Sequence, residues 1–509
     1  MTQTPDLDVR ERETSDPPPR HTLAGHELRN ISEIRTFFRM NEVPIFFVGA
    51  TAFNLLGINR FVRNFSYVLY YDSWDGFHPG VFTPPQIAHE EFQDGEDINN
   101  YLLRHPATKT HINAAAALSG ERPKIAMVFF DEETESICAE NGWDLILPSY
   151  ALRNRLDSKM ETTRLGNEAG AASVPNVMTT LDSYEALQRV CADAGLGDDL
   201  VLQLAYGDSG KTTFFVAGRE DWNRVATRVV GEPVKVMKRI NNRAIAVEAV
   251  NTRHGTIVGP FMTDLTGFPE LTPYRGGWCG NDLRPDALDR SQRARAVEHV
   301  RKLGDRLRQE GYKGYFEVDV LVDTDTDDVY LGELNPRLSG VTSMTNVTAG
   351  AYADVPLFLF HLLEYLDVDY QLDVDEINER WLELAALDQW SQLVMKTSDP
   401  TIKLISSAPA TGIYTLADDG VLTFRRPAQD WHTLDEPHEA FFLRVYGAGD
   451  YLFKGADLGI LVTKNRMQTD DKRLTPKGLL FIDGITGMFV ASPVDDLAPP
   501  QHHLLAYLK

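Results

Sequence analysis

Residues 315–340 read YFEVDVLVDTDTDDVYLGELNPRLSG, two alternating runs on either side of the polar stretch Thr324 to Asp328. Strand-forming residues flanking turn chemistry fold as a β-hairpin. With Thr326 at the tip, Asp319 lies opposite Glu333 and Glu317 opposite Asn335. The two-residue period puts all four on one face. Val318, Val320, Val322, Tyr330 and Leu334 fall on the other, as an apolar core face. Like charges directly opposed on a sheet are destabilising, so the acidic face asks for a cation. Two carboxylates and an amide oxygen, from Asp319, Glu333 and Asn335, are hard ligands suited to Mg²⁺. Arg337, two residues past Asn335, adds a planar guanidinium beside them. The acids between Asp323 and Asp328 read as a solvated turn. They do not form a calcium loop, because Asp328 stands where glycine is needed and Leu334 where glutamate is needed.

The chain around this hairpin has 509 residues, enough for about three domains, and its 43% hydrophobic and 24% charged residues are ordinary globular usage. A net charge of −24 repels phosphate backbones and anionic membrane surfaces, so neither nucleic acid nor membrane is expected as a partner. Three scattered cysteines, Cys138, Cys191 and Cys279, build neither a disulfide framework nor a thiolate metal site and point to a reducing, cytoplasmic setting. Cys279 has no histidine partner in the sequence and reads as a packing residue. No apolar run approaches the length of a membrane span.

The expected class is α/β (α+β). Residues 1–25 read as a loose polar tail. An N-terminal α/β domain occupies 26–155, with buried strands at Val43 to Gly49 and Lys124 to Phe130. A central domain covers 156–390, and within it a small subdomain of about 170–240 combines a helix near Ser183 to Ala194 with strands Leu200 to Ala205 and Thr212 to Val216. Pro285 to Gly311 carries Val297, Val300, Leu303 and Leu307 at helical spacing. Residues 391–509 alternate short strand-like runs with Gly and Pro turns, including Gly478 to Asp483, and read as a β-rich terminal domain.

The segment LVLQLAYGDSGKTTFFV, from Leu200 to Val216, fits a loose Walker A pattern at Ala205 to Thr212. A phosphate-binding P-loop opens a helix at its lysine, whereas Thr212 to Val216 is β-branched and aromatic. Strand, glycine loop, strand is the better parse, and such a loop folds over a triphosphate with backbone N–H groups and Lys211.

Taken in order, these segments resemble the ATP-grasp superfamily, on its biotin-carboxylase-like side, over roughly Glu42 to Phe360. Asp319 with Glu333-Leu334-Asn335-Pro336-Arg337 is similar to the family's two magnesium carboxylates, asparagine and arginine. The resemblance implies an ATP-grasp fold with an N-terminal α/β domain ahead of it. It implies nucleotide contacts from Lys159, Gln203, Gly207, Ser209, Gly210, Lys211 and Thr212, and an adenine hinge at Lys238 and Ile240. It further implies ATP and Mg²⁺ as cofactors, the metal as two ions with Mn²⁺ as an alternative. Two departures stand out: Gln203 occupies a position commonly lysine, which leaves Lys211 as the substitute, and Met237 replaces the hinge acid. The longer glycine run of true biotin carboxylases and a biotin-carrier motif are both missing.

The activity implied is ADP-forming joining of an amino acid or peptide carboxylate to an amine through an acyl phosphate, with Arg337 and Lys211 in catalytic roles. Arg275, within PYRGGWCGND, and Ser339 are the candidates to face substrate. The alternatives are a carboxylase or ammonia-using synthetase of the same superfamily, and a silent nucleotide-binding scaffold. Expected partners are small carboxylates and amines, and the sequence is compatible with a homodimer.

Overall fold

The computed structural model describes residues 27–85, 92–207, 212–348, 355–387 and 389–494. The first sheet is parallel and consists of β1 (Ile45–Gly49), β2 (Phe65–Leu69), β3 (Val81–Phe82), β4 (Lys124–Ala126) and β5 (Asp144–Leu145), in the order β3-β2-β1-β4-β5. Helices cover it, so β1 is buried at every position and reads as a continuous apolar run rather than an alternating one. The chain leaves β1 outward to β2 and β3 and returns on the other side as β4, so the direction of winding reverses between β1 and β4. Crevices beyond the carboxyl ends of strands at such a reversal are where open α/β sheets bind ligands. Here a cavity of 180 Å³ lies there, lined by Gly49, Thr51, Asn54, Asn99 and Phe129 among others.

A small antiparallel sheet follows: β6 (Asn176–Thr180), β7 (Leu200–Leu204), β8 (Thr213–Val216) and β9 (Pro233–Lys238), in the order β6-β9-β7-β8. Leu200, Leu202, Val234 and Val236 bury one face of it against the helices Tyr184–Ala194 and Arg219–Val229.

The largest sheet has ten antiparallel strands. It contains β10 (Asn242–Thr252), β11 (Gly255–Thr266), β12 (Trp278–Leu283), β13 (Gly314–Asp323), β14 (Val329–Asn335) and β15 (Trp390–Lys396). After β16 (Lys403–Ser407) it continues with β17 (Gly412–Leu416), β18 (Leu422–Pro427), β19 (Glu439–Arg444) and, beyond β20 (Tyr451–Leu452), with β21 (Asp457–Lys464). The order is β14-β13-β10-β11-β12-β15-β21-β19-β17-β18, so the ladder runs on unbroken past residue 390. A third antiparallel sheet of three strands joins β20 and β22 (Val490–Pro493) to β16.

The helix Arg290–Gln309 packs on the large sheet through Ala296, Val300, Leu303 and Leu307. It comes so close to β11 that a Cβ on Gly304 would stand 2.2 Å from the Thr256 hydroxyl. Its start differs from the sequence expectation. Pro285–Ala287 is a separate 3₁₀ turn, and the helix begins after Asp289, whose side chain forms a capping box with Gln292. A local cap overrides the proline signal.

The run Gly478 to Asp483, expected as a strand, is helical within Pro476–Thr486. Thr475 caps it by accepting from the Gly478 N–H, Pro476 fills its first turn, and Phe481, Ile482 and Ile485 supply a buried stripe. Apolar content alone does not separate a buried helix from a strand; the Thr-Pro start signal does. The helix Val374–Ala385 stops before Trp390, which opens β15. The expected α/β (α+β) class is the class observed. Among the described residues no helix is long and apolar enough to cross a membrane.

Candidate active site

The hairpin of β13 and β14 keeps the expected pairing at its base, Glu317 with Asn335 and Val318 with Leu334. It then shifts by one, to Val320 with Leu331 and Val322 with Val329. The shift is a β-bulge in which Asp319 faces both Gly332 and Glu333. A side chain at position 332 would press on Asp319, since a Cβ there lies 3.1 Å from the aspartate Cβ.

The bulge corrects one sequence expectation. Residues of β14 ahead of it change parity, so Val329 and Leu331 join Val318, Val320 and Val322 in the core, while Tyr330 moves to the acidic face. There Tyr330 and Leu321 meet Val174, Val201, Met237 and Ile240, forming an apolar layer between the small sheet and the hairpin.

Lys159 ties this face to the glycine loop. It is the first residue of the helix Lys159–Glu168, only 6% exposed. Its backbone N–H donates to the Ala205 carbonyl at 2.8 Å. Its ammonium donates to the Gly207 carbonyl at 2.9 Å and to Glu333 Oε1 at 2.6 Å. Gly207 has φ of +148° and sits so close to Thr212 that a Cβ would meet the threonine hydroxyl at 2.2 Å, so only glycine fits this position. Gln203 donates to Thr213 Oγ1 at 3.2 Å. Ser209, Gly210 and Lys211 lie outside the described residues.

At the proposed hinge, the Lys238 N–H is already committed to the Pro175 carbonyl at 3.1 Å, and the Ile240 side chain packs against the apolar layer. Lys235, which the sequence reading passed over, lies opposite Gln203 in the ladder and is 2% exposed. Burial pushes its ammonium down to about 8, with Glu333 pulling it up and Lys159 pushing it down. A lysine inside PVKVM, between apolar residues, was the available signal.

The acids are crowded. Asn335 gives an Nδ2 hydrogen to Glu317, which is 4% exposed. Burial first, and Asp319 next, hold the Glu317 carboxyl well above the usual range. Burial, then Asp264 and Glu333, do the same for half-buried Asp319. As they stand, Glu333 is turned to Lys159 and Asn335 to Glu317, and no three His, Cys, Asp or Glu side chains among the described residues surround one point. The donor set nonetheless fits a hard divalent cation: carboxylate oxygens held close in a desolvated place, with the Asn335 amide oxygen beside them.

Beneath the loop that follows Asn335, Glu248 is fully buried. It accepts hydrogen bonds from Ser339 Oγ at 3.0 Å, from Thr342 Oγ1 at 2.7 Å and from the Tyr315 hydroxyl. Ser339, expected to face substrate, is therefore buried and committed to Glu248. Burial pushes the Glu248 carboxyl from 4.5 up to about 8. A raised carboxyl costs nothing while both folded and unfolded chains are protonated, and costs stability as pH rises from the unfolded value to the folded one. Thermal stability is expected to fall between pH 4.5 and about 8, with Glu248 contributing roughly 5 kcal/mol over that whole range. Glu248→Gln should flatten the melting temperature against pH, as read by calorimetry. An acid in the middle of the apolar run RAIAVEAV was the sequence signal.

A second chain of hydrogen bonds lies alongside. Asn281 donates to Asp264 at 2.6 Å and accepts from Trp278 Nε1 at 3.1 Å and Gln392 Nε2 at 2.9 Å, while Ser343 donates to Gln392 at 2.7 Å. The Trp278 ring lies against Gly340, where a Cβ would stand 2.6 Å from it. Trp278 and Asn281 belong to the PYRGGWCGND segment, whereas Arg275 stands exposed on its turn. Cys279 is buried. The half-buried Arg337 guanidinium lies over the Phe129 ring at 5.8 Å, and Asn54 donates to the Ser339 carbonyl at 2.7 Å. Both Phe129 and Asn54 line the cavity at the reversal between β1 and β4. The arginine therefore stands between that cavity and the acidic face.

No family model matches the sequence. A curated relative, the [butirosin acyl-carrier protein]–L-glutamate ligase of Niallia circulans, is 23% identical over 247 residues, which is 46% of this chain and 57% of the relative. The match thus spans little more than half of that protein. Among solved structures, the biotin carboxylase domain dimer of Hydrogenobacter thermophilus 2-oxoglutarate carboxylase, with MgADP, ADP and bicarbonate, aligns with a TM-score of 0.55 and 13% identity over 88% of this chain and 90% of that one. The N5-carboxyaminoimidazole synthase of Aspergillus clavatus, with ADP and 5-aminoimidazole ribonucleotide, aligns with a TM-score of 0.53 and 14% identity over 87% and 99%. Both alignments span nearly nine tenths of the chain, and at this identity what they share is the fold: the chain has the fold of the ATP-grasp enzymes, on their biotin-carboxylase-like side.

Proposed function

We propose that this chain is an ADP-forming, ATP-dependent ligase that joins an amino acid or peptide carboxylate to an amine. The observation that carries the reading is Lys159, whose ammonium bridges the Gly207 carbonyl and Glu333, so that the glycine loop and the acidic face meet at one cation. Asp319, Glu333 and Asn335 would hold magnesium, which when bound neutralises charge on the β- and γ-phosphates. Adenine would lie in the apolar layer of Met237, Ile240, Leu321 and Tyr330. The substrate carboxylate would enter from the cavity beyond β1 and β4, oriented by Arg337.

A carboxylate oxygen attacks the γ-phosphorus, the bond to the bridging oxygen breaks, and ADP leaves. The amine nitrogen then attacks the acyl carbon, the bond from that carbon to the phosphate oxygen breaks, and the amine proton leaves with the departing phosphate. Arg337 spreads the developing charge over a planar donor, and closure of the small sheet keeps water from the acyl phosphate. The curated relative's L-glutamate supports an amino acid substrate. The Hydrogenobacter thermophilus structure, which holds bicarbonate beside MgADP, supports a second reading, capture of bicarbonate by the same acyl-phosphate chemistry.

Incubation with ATP, Mg²⁺ and pooled amino acids tests this. ADP release that requires both a carboxylate and an amine, with a condensed product in the mass spectrum, is the expected result. ADP release that requires bicarbonate instead would establish the second reading. ATP binding without turnover under any of these conditions would overturn both.

A further inference from the structure

Lysines are seldom fully buried without a partner, yet Lys235 is 2% exposed and makes no hydrogen bond or ion pair with any described residue. Its direction follows from the pleat. Val234 and Val236, its neighbours on β9, point into the core of the small sheet together with Leu200 and Leu202. Lys235 and its ladder partner Gln203 therefore share the opposite face with Val201 and Met237. Val201 and Met237 pack toward Leu321 and Tyr330 of the acidic hairpin. Lys235 thus looks across at the hairpin, where Glu333, the carboxylate whose charge acts on it, is already paired with Lys159. An ammonium held in such a place calls for an anion that enters later. The neutral Gln203 beside it cannot be that charge's substitute, because an amide hydrogen-bonds phosphate without neutralising it.

We propose that Lys235 binds the nucleotide's triphosphate, supplying from β9 the positive charge that Gln203 lacks on the adjacent strand. The inference rests on the ATP-dependent reading above. Lys235 is a phosphate-binding residue in this scheme, and the pair Gln203–Lys235 is one functional position spread over two strands.

The test uses the full chain. Lys235→Gln is expected to weaken ATP binding, measured calorimetrically, by roughly 10- to 100-fold, the range of a charge-assisted hydrogen bond. Adenosine, which lacks phosphate, should bind as tightly to the variant as to the parent. The melting temperature should hold or rise, since a buried unpaired charge is removed. The exchanged double variant Gln203→Lys/Lys235→Gln should regain most of the ATP affinity by returning the charge to the neighbouring strand. Unchanged ATP affinity in Lys235→Gln, or equal weakening of ATP and adenosine, would overturn the inference while leaving the ligase reading intact. A parent protein that binds no ATP would overturn both.

Discussion

Replacing Asp319 and Glu333 together by alanine is expected to lower ATP turnover by at least about a thousandfold without lowering the melting temperature. The two halves of this result have separate causes. On the bulge, Asp319 sits against Glu333 and Asp264, and burial with those charges raises its carboxyl well above the usual range. A raised carboxyl is one whose charged form the folded state disfavours, so its removal relieves the native chain at neutral pH. The loss of turnover follows because the pair would hold the cation that neutralises the phosphates. Glu333→Ala also breaks the 2.6 Å ion pair of buried Lys159, and that loss offsets the relief at Asp319, which holds the melting temperature near the parent's rather than raising it. Coupled ADP release and thermal denaturation on the same preparation check both halves. Full turnover in the double variant would end the proposal that these residues hold the metal. A large drop in melting temperature would mean that the pair serves the fold.

Arg337→Ala carries the second large effect: a fall in kcat of about 100- to 1,000-fold, with ATP affinity little changed. The guanidinium lies at 5.8 Å over Phe129, between the acidic face and the cavity beyond β1 and β4. From there, on the ligase reading, it would reach the substrate carboxylate and γ-phosphate rather than the adenine. Arg337→Lys should recover little, because a lysine offers a point charge where two parallel donors are used. Steady-state kinetics with both variants separate the terms. A rise in KM for ATP at unchanged kcat would move Arg337 from the reaction to nucleotide binding.

Much of this arrangement was legible before any coordinates, and the exceptions have identifiable causes. The pairing of Glu317 with Asn335 followed from the hairpin's turn and its alternation. The bulge at Asp319 was invisible, since one extra residue in a strand leaves no mark on composition, and it cost the placement of Tyr330. Ser339 looked open to substrate because its partner, Glu248, is ninety-one residues earlier in the chain. Arg275 read well by composition, but nothing in a sequence tells which way a glycine-rich turn faces. Lys235 was missed because the glycine-loop strand was read alone. The compensation we propose lies on a neighbouring strand, across a hydrogen-bonded ladder rather than along the chain. The helix Pro476–Thr486 was misread because its apolar residues outweighed the Thr475 cap.

The unbroken ten-stranded ladder also limits where the chain can flex. Strands β15, β21, β19, β17 and β18 hang from the same hydrogen bonds as the acidic hairpin, so swinging them aside would tear rungs out of the sheet. The small sheet shares no strand ladder with it among the described residues: the bridge between Ser173 and Leu331, the bonds from Lys159 to the Ala205 and Gly207 carbonyls and the apolar layer join the two. On the ligase reading, admission of a fresh nucleotide and escape of the spent one would fall to that small unit, and the pace of each round would follow how readily a few local contacts let go.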